Sequence, residues 1–194
     1  MKKIIIILLF INLLNFSTHA MEADVFIQST VNRASLALSK NISKDEKINK
    51  LKSIAEDTVD IRGIGFYSLG SIRDNLEDNE KEKFLILFKK YFLKSFSSRL
   101  SEYTNPEIEV KGKKILNKNY TIVNSVLIAT SERPEIKIDW RIYTKKPENP
   151  LIRDLIIEGL SLARTQKEEF ASVLNSNNDD IEALFKILEE FSQN

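Results

Sequence analysis

The chain of 194 residues carries 29 basic and 28 acidic side chains, a single histidine and no cysteine. So even a balance gives no general electrostatic drive toward nucleic acid, whose phosphates dominate its attraction for proteins. The one histidine is His19, so beyond it histidine triads, thiol nucleophiles and nearly all zinc sites are excluded, and the core must hold without disulfides.

The chain opens Met1-Lys2-Lys3, continues through the apolar run Ile4 to Ile11 and reaches Ser17-Thr18-His19-Ala20. A basic start, an apolar stretch and a small-residue exit are the three parts of a secretory signal, with cleavage expected after Ala20. The run is shorter than the roughly 20 residues that span a bilayer; an uncleaved anchor is the rival reading. A lipoprotein anchor is excluded, because there is no cysteine to acylate. Residues 1–20 are therefore set apart as a signal peptide, and residues 21–194 form a single domain long enough for a substantial core.

Ile27, Val31, Ala34 and Leu38 recur at helical spacing and predict an amphipathic helix over about 22–40. Ser43-Lys44-Asp45-Glu46 reads as a capping box for a second helix that turns Ile48, Leu51 and Ala55 inward. A short third helix is expected from Asp60 to Leu69, ended by Gly70 in the left-handed conformation. The next helix, Asn79 to Glu102, carries Phe84, Leu85, Leu87, Phe88, Tyr91, Phe92, Phe96 and Leu100, followed by Tyr103. That set is wider than the stripe a surface helix needs. It implies either two apolar neighbours, one of which need not be protein, or central burial in the chain's own core.

Asn105-Pro106 breaks this helix, and the period changes from 3.6 to 2. Four strands are expected: Glu107–Leu116, Tyr120–Thr130 (with Ile122, Val126 and Ile128 on one face, Val123 and Leu127 on the other), Glu135–Thr144 and Leu151–Glu158. Short connections rich in Asn, Gly and Pro suit an antiparallel meander. Two closing helices are expected over Ala163–Asn175 and Asp179–Phe191, the second capped by Asp179 with Glu182. The fold class is α+β: N-terminal helices, a twisted four-stranded antiparallel sheet, then C-terminal helices packed back on it.

Asp154 and Glu158 share a strand face but would sit about 13 Å apart at a rise of about 3.3 Å per residue, too far for a glycosidase pair. Glu158 is expected to fix the Glu-Gly turn or to accept amides of the helix that follows, and Ser161 to cap that helix. No catalytic residue and no metal ligand emerges.

The segment Asp154-Leu155-Ile156-Ile157-Glu158-Gly159-Leu160-Ser161-Leu162 is similar to a strand-to-helix signature, Asp-Val-x-x-Glu-Gly-Val-Ser-Leu, of the MlaC (toluene-tolerance) family of periplasmic phospholipid-binding proteins. Leu69-Gly70 followed by Phe84, Phe88, Phe96, Leu100 and Tyr103, and the strand Ile138-Asp139-Trp140-Arg141-Ile142, resemble the same family. Ser71-Ile72-Arg73-Asp74 lacks its aromatic-Arg pair, and Pro150 stands where a tryptophan is usual.

The resemblance implies a periplasmic, non-enzymatic domain that encloses an apolar cavity and shuttles phospholipid between the outer and inner membranes, maintaining outer-membrane lipid asymmetry. It implies no cofactor, only phospholipid as cargo. The implied partners are an inner-membrane ABC lipid-transport complex and an outer-membrane lipoprotein-porin complex, with no nucleic acid. From the long helix, Phe88, Phe92, Phe96 and Leu100 are expected to line the cavity. From the strands the expected lining is Val126, Ile128, Ile138, Trp140, Ile142 and Ile156. Arg62, Arg73 or a nearby lysine would steady the phosphate. The alternatives are a periplasmic adaptor or chaperone-like protein on the same fold, with a filled core, and a carrier of another lipid such as a hopanoid.

Overall fold

The computed structural model describes residues 21–193, and the expected signal peptide lies outside them. The described residues fold as α1 (Ala23–Ser39), α2 (Lys44–Thr58), α3 (Ile61–Ser68), a 3-10 turn (Gly70–Asp74) and α4 (Asp78–Leu100). Strands β1 (Ile108–Asn117), β2 (Tyr120–Leu127), β3 (Ile136–Tyr143), β4 (Leu151–Ile157) and β5 (Leu160–Ser161) follow, then α5 (Leu162–Asn175) and α6 (Ile181–Gln193). The strands pair in chain order as an antiparallel meander.

Local chemistry accounts for the boundaries. At α2, Ser43 Oγ accepts the amide of Glu46, whose carboxylate accepts the amide of Ser43. Asp60 caps α3 by accepting the amide of Gly63 at 2.8 Å, and it also ion-pairs with Arg153 of β4. Arg153 donates in turn to the Tyr120 hydroxyl at 3.0 Å, so one network ties α3 to two strands. Gly70 takes φ 62°, ending α3 as expected. At the start of α4 the Glu77 amide donates to the Glu80 carboxylate at 2.7 Å, and the Glu80 amide donates to Asn79 Oδ1 at 2.9 Å.

The sheet has five strands where the periodicity predicted four. Glu158 and Gly159 both adopt positive φ, 49° and 84°, the conformation of a tight two-residue hairpin turn. They fold Leu160 and Ser161 back to pair with Ile157 and Ile156. A strand of two residues carries no readable period. Glu158 accepts the Lys137 amide, which fixes the turn. Asp154, not Glu158, accepts an amide of the next helix, that of Ala163 at 3.0 Å. It also accepts the Ser161 hydroxyl at 2.6 Å, while Ser161 Oγ caps α5 through the Arg164 amide. At α6 it is Asp180, not Asp179, that accepts the Glu182 amide, at 3.0 Å, while Asp179 sits at φ 59° in the turn.

β1 is bulged at Lys111 and again at Leu116, neither of which has a partner on β2. The first bulge shifts the alternation, bringing Lys113 opposite Val123. There Lys113 is held by Glu22 and Asp24 at the start of α1.

One apolar core joins the sheet to the helices, with Phe84, Val123, Ile142, Leu184 and Leu188 wholly buried. α4 packs chiefly on α6, α2 and α3. Its close approach to α3 depends on Gly65, where an added Cβ would stand 2.8 Å from Phe88 Cδ1.

Candidate functional site

Four phenylalanines on α4, spaced four apart, form a continuous row. Ring centroids of Phe84 and Phe88 are 5.6 Å apart, those of Phe88 and Phe92 6.1 Å, and those of Phe92 and Phe96 5.7 Å. Phe170 of α5 meets both Phe84 and Phe88 edge-on. Burial falls along the row: Phe84 and Phe88 are sealed, whereas Phe92, Phe96 and Leu100 are half-buried.

The strands present a matching face. Register places Val123 opposite Trp140, Ser125 opposite Ile138 and Leu127 opposite both Ile108 and Ile136. Paired residues share a face, so these apolar side chains form rows across the sheet. The polar atoms among them are satisfied: Trp140 Nε1 donates to Ser125 Oγ at 2.8 Å, and that hydroxyl donates to the Ile138 carbonyl at 3.0 Å.

Of the residues expected to line a cavity, Phe88, Ile138, Trp140 and Ile142 lie in one core cluster, and Phe92 and Phe96 pack against it. Leu100 and Ile128 are half-buried, at the end of α4 and just beyond β2. Val126 and Ile156 stand opposite Lys137 and Asp139, which alternation places on the side of the sheet away from Trp140. Both faces of β2 are largely apolar, so alternation alone could not orient it. Two hollows among the described residues open on the outer surface, one beside Lys83 and Ile86 and one beside Asp57 and Lys89. Neither contains an expected lining residue.

The half-buried end of the row has a cation. Arg133, in the β2–β3 connection, donates from its guanidinium to the Ile128 carbonyl at 3.2 Å and lies 5.3 Å from the centre of the Tyr103 ring. Its Nε is buried without a hydrogen-bond partner among the described residues. Burying a polar group unpaired is costly, which marks this atom as a place for an acceptor. Nothing in the pattern of Ser131 to Pro134 singles Arg133 out. Of the arginines that were expected there, Arg62 stacks on Phe66 and Arg73 pairs with Asp74.

Among the described residues no three carboxylates or imidazoles gather to hold a metal ion, and no helix is long and apolar enough to cross a membrane.

A family model described as MlaC protein matches residues 28–190. No curated protein matches the chain. Among solved structures, a phospholipid-binding protein from Ralstonia solanacearum, in complex with a phospholipid, is similar with a TM-score of 0.74 at 17% identity. The match covers 89% of this chain and 97% of that one.

Proposed function

We propose, from the premise that the chain belongs to the MlaC family, that it binds phospholipid and carries it across the periplasm between the outer and inner membranes. The observation that carries this reading is the phenylalanine row of α4, sealed at Phe88 and half-open at Phe96, with an arginine beyond its open end whose Nε has no acceptor among the described residues. Each acyl methylene exposed to water costs about 0.8 kcal/mol, so a carrier has to offer lipid tails an apolar lining. Phe92, Phe96 and Leu100 on one side, with Ile138 and Trp140 on the other, supply it when α4 moves outward. The phosphate then lies at Arg133, which also gives the orphaned Nε its acceptor. No acid, base or metal is required, and the chain works without catalysis.

The family and the phospholipid-bound structural relative from Ralstonia solanacearum support phospholipid as the cargo. Periplasmic residence follows from the expected leader. Docking at an inner-membrane transport complex and an outer-membrane porin complex follows from the shuttle role. The filled interior at Phe84, Phe88, Val123 and Ile142 favours one second reading, an adaptor on the same fold whose α4 covers a protein partner.

Native mass spectrometry of the protein purified from a bacterial periplasm, followed by lipid extraction, separates the two. A stoichiometric phospholipid adduct released on denaturation is the expected result. An apo mass, together with failure to take up phospholipid from vesicles, leaves the adaptor.

A further inference from the structure

At the tip of the β1–β2 hairpin two adjacent aliphatic side chains stand in water: Ile115 is 73% exposed and Leu116 46%. The second bulge of β1 falls at Leu116. The hairpin is cationic as well as greasy. From Val110 to Ser131 it contains Lys111, Lys113, Lys114 and Lys118 and no carboxylate. Lys111 pairs with Glu109, and Lys113 with Glu22 and Asp24. Lys114 and Lys118 are exposed and in no ion pair among the described residues.

The neighbouring loop adds to the patch. The Thr144 amide donates to the Asn119 carbonyl at 2.8 Å, which brings exposed Lys145 and Lys146 beside the hairpin tip. The Met21 amide donates to the Pro147 carbonyl of the same loop at 2.9 Å, and the Met21 side chain is itself exposed. Glu148 is the carboxylate on that loop.

We propose that this end of the sheet is a membrane-docking surface, in which Ile115 and Leu116 enter the interface of an anionic phospholipid bilayer and Lys114, Lys118, Lys145 and Lys146 meet its head groups. A protruding pair of aliphatic side chains suits a penetrable surface. Lysines around it keep their charge at head-group level while their stems follow the apolar side chains. The charge complement is an anionic lipid surface, where each nearby lysine strengthens attachment. The patch lies at the opposite end of the strands from Arg133, since Asn117 and Tyr143 mark one end and Leu127 and Ile136 the other. It therefore stands independently of the carrier reading.

The test is sedimentation of the protein, purified from a bacterial periplasm, with vesicles of phosphatidylcholine alone or mixed with phosphatidylglycerol. The protein is expected to pellet with the mixed vesicles at low salt and to leave them as salt rises. Lys114→Gln with Lys118→Gln should lower the partition coefficient roughly fivefold for each lysine removed. Ile115→Ser with Leu116→Ser should abolish pelleting. Lys186→Gln, at an exposed position of α6, should bind as the parent does. Phospholipid extracted from the non-pelleting variant should match the parent, which separates docking from cargo binding. A parent that stays in the supernatant with anionic vesicles would overturn the proposal and point to an acidic protein partner. Hairpin variants that pellet like the parent would overturn it equally.

Discussion

The indole N–H of Trp140 donates to the hydroxyl of Ser125 on the neighbouring strand, at 2.8 Å and in a buried position. The chain's one tryptophan is thereby fixed on the sheet face that meets the helices. Ser125→Ala leaves a buried donor unpaired. It is expected to cost about 1–3 kcal/mol in denaturant unfolding and to shift the emission of the folded protein. Because no second tryptophan contributes, that emission also reads the layer where lipid is proposed to enter, and delipidation should move it.

Gly65 and Gly112 make a matched pair of tests. An added methyl at Gly65 meets the Phe88 ring at 2.8 Å, whereas one at Gly112 meets nothing within 4 Å. Gly65→Ala is therefore expected to lower stability by about 1–3 kcal/mol through overpacking. Gly112→Ala should be close to neutral. Thermal melts of the two variants check the contrast.

Asp154 holds the hairpin and α5 together by accepting both the Ser161 hydroxyl and the Ala163 amide. Asp154→Ala strands the buried Ala163 amide and removes the acceptor of the half-buried Ser161 hydroxyl, and is expected to cost about 1–3 kcal/mol. Asp154→Asn, which keeps an acceptor for Ala163, should recover part of the loss. Hydrogen exchange at the first turn of α5 should report the damage first.

Burial pushes the Tyr91 phenol above its usual value of 10.0. A raised folded value means that the folded state holds this proton more tightly than the unfolded one. The stability so gained is fully present below pH 10 and is lost as pH rises through the folded value. A spectrophotometric titration should show one tyrosine ionising late. Tyr91→Phe should remove that step and reduce the alkaline sensitivity of unfolding.

Arg133→Ala is expected to lower stability by about 1–2 kcal/mol, because it gives up the bond to the Ile128 carbonyl and the contact with the Tyr103 ring. Phospholipid retention should fall roughly tenfold to a hundredfold, the range for a hydrogen bond to a charged group. Arg133→Lys, which keeps the charge but not the fork, should recover only part of it. Retention equal to the parent would move the head group elsewhere.

Much of this architecture can be read before folding. The strict alternation of Ile136 to Tyr143 and the Ser43–Glu46 box mark their elements within a residue or so, because local geometry determines both. The two-residue strand at Leu160 escaped, since its evidence is the pair of positive φ angles before it. Which side of β2 meets the core depended on its register with Trp140, a contact no local window contains. Arg133 escaped for a related reason. Its significance comes from Tyr103 and Ile128, which only the folded chain brings to it.

The bulge at Lys111 has a consequence for how molecules of this protein meet one another. β1 is the outer strand of the sheet, and a regular outer strand is a template on which a second copy can add its own. Interrupting the ladder at Lys111 and Leu116 leaves no long stretch of evenly spaced donors and acceptors to copy. The lysines along the strand add repulsion between identical edges. Crowded with its own kind, the protein keeps an apolar hairpin tip on display without the edge beside it seeding a fibre.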